Sequence, residues 1–246
     1  MKSSHALILS LLITLFISLN VSLLGSINKS VRKPLIITRV IDGDTLITEE
    51  GTTIRLLNIN TPEKNNPGYQ EALSFLKKLE NKTVEIEELE TEKYGRTLAR
   101  VYSPNYLNLE IVSLGLAKKF LVDEAETKEF NEAEEEAVEN SRGLWKKSPY
   151  YNCLSAKIDQ KDEVIYLKSK CGKIYIKNWY LTDESRKEYK FGNLSIDEIN
   201  IHSKSGANTE TNLFWKSKQN IWNNDRDTLY VFDEKNNLVH HQSYGY

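Results

Sequence analysis

The 246-residue chain has only two cysteines, four histidines and one methionine, and its charges nearly cancel, to a net −2. Each shortage removes a class of protein. With no C-x-x-C pair, and histidines scattered at His5, His202, His240 and His241, a zinc-centred fold or enzyme is not expected. Residues 29–147 carry a net −4 and residues 148–246 a net +1, so neither half is a basic module that grips DNA through a broad positive face. A polyanion would have to be held by a few well-positioned cations. No tandem repeat occurs, and apolar and charged contents of 39% and 28% are those of a folded chain, not a disordered one. Cys153 and Cys171 form an even pair, which in an exported chain reads as a disulfide; two free buried thiols are the alternative.

The N-terminus supports export. From Ala6 to Leu24 the chain is apolar, broken only by Ser, Thr and Asn, after a short start containing Lys2. Residues 1–27 therefore read as a signal peptide or an N-terminal membrane anchor. The run approaches the roughly 20 residues of a spanning helix, and no clear cleavage site follows it. An extracellular protein, or one held on the outer face of the cell membrane, is expected. Residues 28–34, ending at Pro34, read as a linker.

Residues 35–147 read as a β-rich first domain. Leu35–Ile41, Thr45–Thr48 and Thr52–Ile59 have strand composition, with Glu49-Glu50-Gly51 as a hairpin turn. Tyr69, Ala72, Leu73, Leu76 and Leu79 recur at helical spacing. Thr83–Leu89 alternates as a half-buried strand does, and Thr97–Tyr102 supplies another. A second helix runs through Leu107, Ile111 and Leu114. A third, very acidic one spans 123–141, its Glu132–Glu139 run reading as a solvated face. Five short strands with inserted helices are compatible with an OB-type five-stranded barrel. Beyond Ser148-Pro149 helical periodicity stops. Residues 148–246 show short strands at Val164–Leu167, Lys173–Lys177, Tyr180, Ile199–His202, Leu229–Phe232 and Leu238–His241, which suggest a β-sandwich.

Three polar clusters interrupt the apolar strands of the first domain. Asp42-Gly43-Asp44 carries two carboxylates at alternate positions, which on a strand aim at one point, and calcium takes several such hard oxygens. Arg55 interrupts an apolar strand and is followed by Asn60-Thr61-Pro62-Glu63. Gly95 in Tyr94-Gly95-Arg96 lets a turn present an arginine. Singly these are ordinary features. Together they suit phosphodiester hydrolysis, in which guanidinium groups grip phosphate oxygens, a metal ion neutralises them, and a carboxylate takes a proton from water.

The motifs V-I-D-G-D-T, I-R-L-L-N-I-N-T-P-E, E-K-Y-G-R-T-L-A-R-V-Y and G-L-A-K follow in an order and spacing that resembles the staphylococcal nuclease family, from about Leu35 to Trp145. The resemblance implies an OB-type barrel cleaving DNA and RNA with Ca²⁺. It implies that Asp44 ligates calcium directly, Asp42 through water, and the Thr61 carbonyl with them. Arg55 and Arg96 would grip the scissile phosphate, Glu63 would act as general base or position the water, and Lys93 and Tyr94 would contact substrate. Asn60 departs from the family's usual aspartate: it still offers a carbonyl oxygen to the ion, with one charge fewer. The tyrosines that many relatives carry after G-L-A-K are replaced by Lys119-Phe120-Leu121.

In the second half, Asn178-Trp179-Tyr180-Leu181-Thr182-Asp183-Glu184 and the segment Ile221–Tyr230, with Phe232-Asp233 and Tyr244, resemble the lamin-tail domain family. That resemblance implies an immunoglobulin-like sandwich with a binding or attachment role toward an unknown ligand. Trp179, Trp215 and Trp222 read as core rather than as a stacking platform. The alternative for the whole chain is a catalytically silent nucleic-acid- or surface-binding protein.

Overall fold

A computed structural model describes residues 31–246; the signal or anchor segment lies outside the described residues. Among the described residues no helix is long and apolar enough to cross a membrane. The first half is built on strands β1 (Lys33–Val40), β2 (Thr45–Thr48), β3 (Thr53–Leu56), β5 (Thr83–Thr91) and β6 (Thr97–Tyr102), with a two-residue β4 (Ile59–Asn60) between β3 and β5. The five longer strands close into a barrel in the order β1-β2-β3-β6-β5, all neighbours antiparallel except β3 and β6. Their inward residues, among them Ile37, Leu46, Ile54, Ile86 and Val101, are fully buried in one core. This is the expected OB-type architecture. The single strand expected over 52–59 is instead broken at Asn58, whose φ of 67° turns the chain into β4.

Helix α1 (Tyr69–Lys77) buries Ala72 and Leu76. Helices α2 (Leu107–Ser113) and α3 (Thr127–Glu139) are separated by the short strand β7 (Lys118–Lys119), which pairs with β4. The third helix starts at Thr127, later than the expected 123, after a 3₁₀ turn over Glu124–Glu126. Its acidic run is also not a uniformly solvated face. Glu134 is completely buried, on the same stripe as Phe130, Ala137 and Val138, at spacings of four, three and one residues. Its carboxylate pairs with the equally buried Lys119 and accepts the Tyr230 hydroxyl at 2.8 and 3.0 Å. The charge is inside because its partners are inside.

The second half is strand-rich. Two four-stranded sheets run β12-β11-β16-β17 and β15-β14-β9-β8, built from β8 (Leu154–Asp159), β9 (Val164–Ser169), β11 (Tyr180–Thr182), β12 (Glu188–Lys190), β14 (Glu198–His202), β15 (Asn212–Phe214), β16 (Asp227–Phe232) and β17 (Leu238–Tyr244). A small pair, β10 (Ile174–Ile176) and β13 (Leu194–Ile196), stands beside them. Strands β12, β13 and β15 were not evident in the sequence because each has three residues, and β8 because polar Ser155, Lys157 and Asp159 interrupt it. Trp179 and Trp222 are buried, and Trp215 packs against the same core. Cys153 and Cys171 are disulfide-bonded, tying the start of β8 to the loop after β9.

The two halves share a third core. Trp145, just after the barrel domain's last helix, stacks on Tyr230 with ring centroids 5.2 Å apart, and Ala137, Val138, Phe232 and Leu238 close around them. A cleft of about 770 Å³ remains between the halves, bordered by Asn60 and Thr61 on one side and by Arg186 and Lys190 on the other.

Candidate active site

The D-G-D cluster sits on the bend between β1 and β2, not on a strand, so alternation along a strand is not what brings its carboxylates together. The Asp44 backbone N–H donates to Asp42 Oδ1 at 3.1 Å, which folds Asp42 back over the bend. Gly43 is required there: a Cβ at this position would lie 2.7 Å from the Ala72 Cβ and 2.8 Å from Thr61 Oγ1. Burial first, and then the neighbouring Asp44 charge, push the Asp42 carboxyl upward from its ordinary value.

Asp44 ties the first cluster to the second. Its Oδ2 accepts both the backbone N–H and the hydroxyl of Thr61, each at 2.9 Å. The same oxygen lies 3.2 Å from Arg55 Nη1. Arg55 stands on β3 opposite Thr45, and it is only 8% exposed. Its Nη1 also donates to Leu56 O at 3.0 Å, while Nη2 donates to Ile59 O at 2.9 Å and Asn60 Oδ1 at 2.8 Å. Burial lowers the Arg55 guanidinium and Asp44 opposes that, with Arg96 and Arg186 lowering it further. Arg55 thus faces a carboxylate and two other arginines at once.

Arg96 follows a tight turn in which Gly95 has a φ of 79°. The guanidinium pairs with Glu92, and this bond leads the causes that raise it, with Asp44 and Asp42 adding to the effect. β6 begins beside β3, with Arg55 opposite Leu98, so the first and third clusters come to the same end of the barrel. Lys93 and Tyr94 lie at the tip of that turn, the lysine ammonium 5.0 Å from the tyrosine ring centre and Tyr94 72% exposed.

Glu63 has a side chain 64% exposed, and its carboxylate pairs with Arg186 Nη2 at 2.8 Å. Arg186 Nη1 donates to the Thr61 carbonyl at 2.7 Å. The amide of Asn60 is used at both ends: Oδ1 accepts from Arg55, and Nδ2 donates to Glu184 O at 3.1 Å. Sequence reasoning found neither Arg186 nor Glu184 as members of this site, because both lie more than 120 residues away in the second half.

The segment after G-L-A is covered by the second domain. Lys118 bonds the Thr182 hydroxyl, and its burial pulls the ammonium down to about 8. Lys119 bonds Ser243 Oγ at 2.8 Å, and Leu121 N–H donates to Glu184 Oε1 at 3.3 Å. The positions where many relatives carry tyrosines are here a domain contact.

The oxygens of the site are of the type a hard cation takes, although Arg186 already donates to the Thr61 carbonyl and Arg55 to Asn60 Oδ1, so a bound ion would share or displace those bonds. Asp42, Asp44, the Thr61 carbonyl and Asn60 Oδ1 are all oxygens, the ligand type calcium takes. Among the described residues no cluster of three or more His, Cys, Asp or Glu could hold a metal ion, so any such ion would rely on two carboxylates and neutral oxygens.

Residues 53–147 match the family described as "Staphylococcal nuclease homologue". Among similar proteins, the thermonuclease of Staphylococcus intermedius is 33% identical, over 57% of this chain and 95% of its own. An uncharacterised protein of Methanocaldococcus jannaschii is 34% identical, over 44% and 70%. An uncharacterised endonuclease of Escherichia coli O157:H7 is 30% identical, over 44% and 74%. The closed barrel agrees with these matches, and the chain belongs to the staphylococcal nuclease family.

Proposed function

We propose that the protein is an exported, Ca²⁺-dependent nuclease that hydrolyses phosphodiester bonds of DNA or RNA. The observation that carries the reading is that Asp44 accepts both the N–H and the hydroxyl of Thr61 and pairs with Arg55, which joins the first two polar clusters at one end of the barrel. Asp44 and the Thr61 carbonyl would hold the calcium ion, with Asn60 beside them and Asp42 acting through water. Calcium, when bound, supplies neutralisation of the phosphate oxygens and fixes the phosphate in place.

The chain's own residues do the rest. Arg96, partly exposed, is able to leave Glu92 and donate two parallel bonds to a phosphate. Arg55 supplies a buried positive charge beneath it and holds Asp44 and Asn60 in place. Glu63 takes a proton from a water molecule as that oxygen attacks phosphorus. The phosphorus bond to the leaving oxygen then breaks, and the leaving oxygen takes up a proton from solvent. Lys93 and Tyr94, exposed at the turn tip, meet the strand outside the reacting phosphate.

Export is supported by the Cys153–Cys171 disulfide, which persists outside reducing compartments. The paired four-stranded sheets support an immunoglobulin-like, lamin-tail-like second domain with a binding or attachment role, which would keep the nuclease near a surface or a partner. The test of the enzymatic reading is turnover of a fluorophore-labelled single strand by Glu63→Gln and Arg96→Met. Each should lose at least about 100-fold in rate with an unchanged circular dichroism spectrum. Wild-type rates in both variants would reject Glu63 and Arg96 as the catalytic groups, and no turnover by the wild type itself would leave a silent binding protein as the better account.

A further inference from the structure

The active-site loop is gripped from outside the barrel. Three of the four residues from Asn60 to Glu63 are held by one short turn of the second domain. Arg186 donates to Thr61 O at 2.7 Å and forms an ion pair with the Glu63 carboxylate at 2.8 Å, and the Glu184 carbonyl accepts from Asn60 Nδ2 at 3.1 Å.

The turn is constructed to present this arginine. Asp183 is buried, and its Oδ1 accepts the Lys187 N–H at 2.7 Å while its Oδ2 accepts the Ser185 hydroxyl. The Arg186 N–H closes the turn on Asp183 O at 3.3 Å. Arg186 has a φ of 73°, the left-handed region that costs a branched or long side chain energy unless its surroundings hold it there. On the barrel side, the Glu63 side chain is mostly exposed, and its carboxylate pairs with this guanidinium. A free glutamate at the surface would sample several rotamers. The ion pair with Arg186 favours the rotamers that keep the carboxylate beside the guanidinium.

We propose that Arg186 is a positioning residue of the hydrolytic site, donated by the second domain to orient the Glu63 carboxylate and the Thr61 carbonyl. The second domain is then part of the catalytic unit, in addition to any attachment role. The proposal rests on the reading of Glu63 as the group that activates water.

The test is steady-state kinetics of the full chain on a labelled single strand with saturating calcium, comparing wild type with Arg186→Gln, Arg186→Lys, Glu63→Gln and the Glu63→Gln/Arg186→Gln pair. Misplacing a reacting group by about an ångström costs up to about 100-fold in rate. Arg186→Gln should therefore lose about 10- to 100-fold in kcat with KM changed by less than about twofold. Arg186→Lys, which keeps one charged donor, should recover part of the loss. The pair should be no slower than Glu63→Gln alone, since Arg186 acts through Glu63. An unchanged or increased kcat in Arg186→Gln overturns the proposal, as does a multiplied loss in the pair. Should Arg186→Gln not fold, an Arg186→Lys rate equal to wild type overturns it equally. If instead Glu63→Gln keeps wild-type kcat, the reading of Glu63 has failed, which is a result distinct from failure of Arg186 alone.

Discussion

Asn60→Asp changes one atom in the site and should move two quantities in opposite directions. Asn60 is buried, with its amide N–H donating to Glu184 O at 3.1 Å and its oxygen accepting from Arg55 Nη2 at 2.8 Å. Aspartate removes the donor and sets an anionic oxygen against the Glu184 carbonyl. A buried acceptor left without its partner costs about 1–3 kcal/mol. The Arg55 bond, already charge-assisted, becomes an ion pair in exchange, a gain of about 1 kcal/mol. The net is a loss of up to about 2 kcal/mol in the calcium-free protein, a fall in melting temperature of up to roughly 8 °C for a chain of this size. Calcium binding should move the other way. An added charge on a ligand oxygen strengthens the site, and after desolvation and the standing Arg55 pair are set against it, about tenfold tighter binding is expected, or about 1.4 kcal/mol. Calorimetric titration with Ca²⁺ and thermal melting in chelator read the two effects separately. Equal or weaker calcium binding would remove Asn60 from the cation site. A raised melting temperature in chelator would remove it from the domain contact.

Other consequences concern the seam between the halves. Glu134→Gln leaves the Lys119 ammonium buried without its counter-ion, and a loss of about 3–5 kcal/mol in urea unfolding is expected. Glu184 is pushed up to about 8 by burial and then by Asp227, so the folded state holds a proton there that the unfolded chain releases above about 4.5. Its contribution is fully present below pH 4.5 and is lost as pH rises through 8. Melting temperature should fall across that window in wild type, and less so in Glu184→Gln. Reducing the Cys153–Cys171 bridge, with a separation of 18 residues, should cost about 3 kcal/mol on the loop-closure account, and unchanged unfolding in reductant would contradict it.

The barrel was legible in the sequence because its first strands have β-branched, apolar composition, Thr83–Leu89 alternates, and glycine marks the turns at Gly51 and Gly95. Strands near Leu35, Thr45, Thr83 and Thr97 follow the expected order in the structure. The polar clusters were legible as well, although Asp42 and Asp44 meet through a bend rather than along a strand. What could not be read was contact across the halves. Glu134 looked solvated within an acidic run, since nothing local shows that Lys119 and Tyr230 surround it; only its place on the Phe130–Val138 stripe was a clue. Arg186 offered less still. Its role depends on a left-handed turn and on packing between domains, and periodicity carries neither. The replacement of the usual aspartate by Asn60 looked like a weakened cation site, whereas the structure gives the amide a partner in Glu184 that a carboxylate would lack.

Cleavage of a fluorophore–quencher single strand by the full-length protein, in millimolar Ca²⁺ and again after chelation, bears most directly on the whole account. Fluorescence should rise in calcium, stop when EGTA is added, and resume when calcium is restored. A signal that never rises in calcium, or that continues undiminished in chelator, would contradict a calcium-dependent nuclease at this end of the barrel.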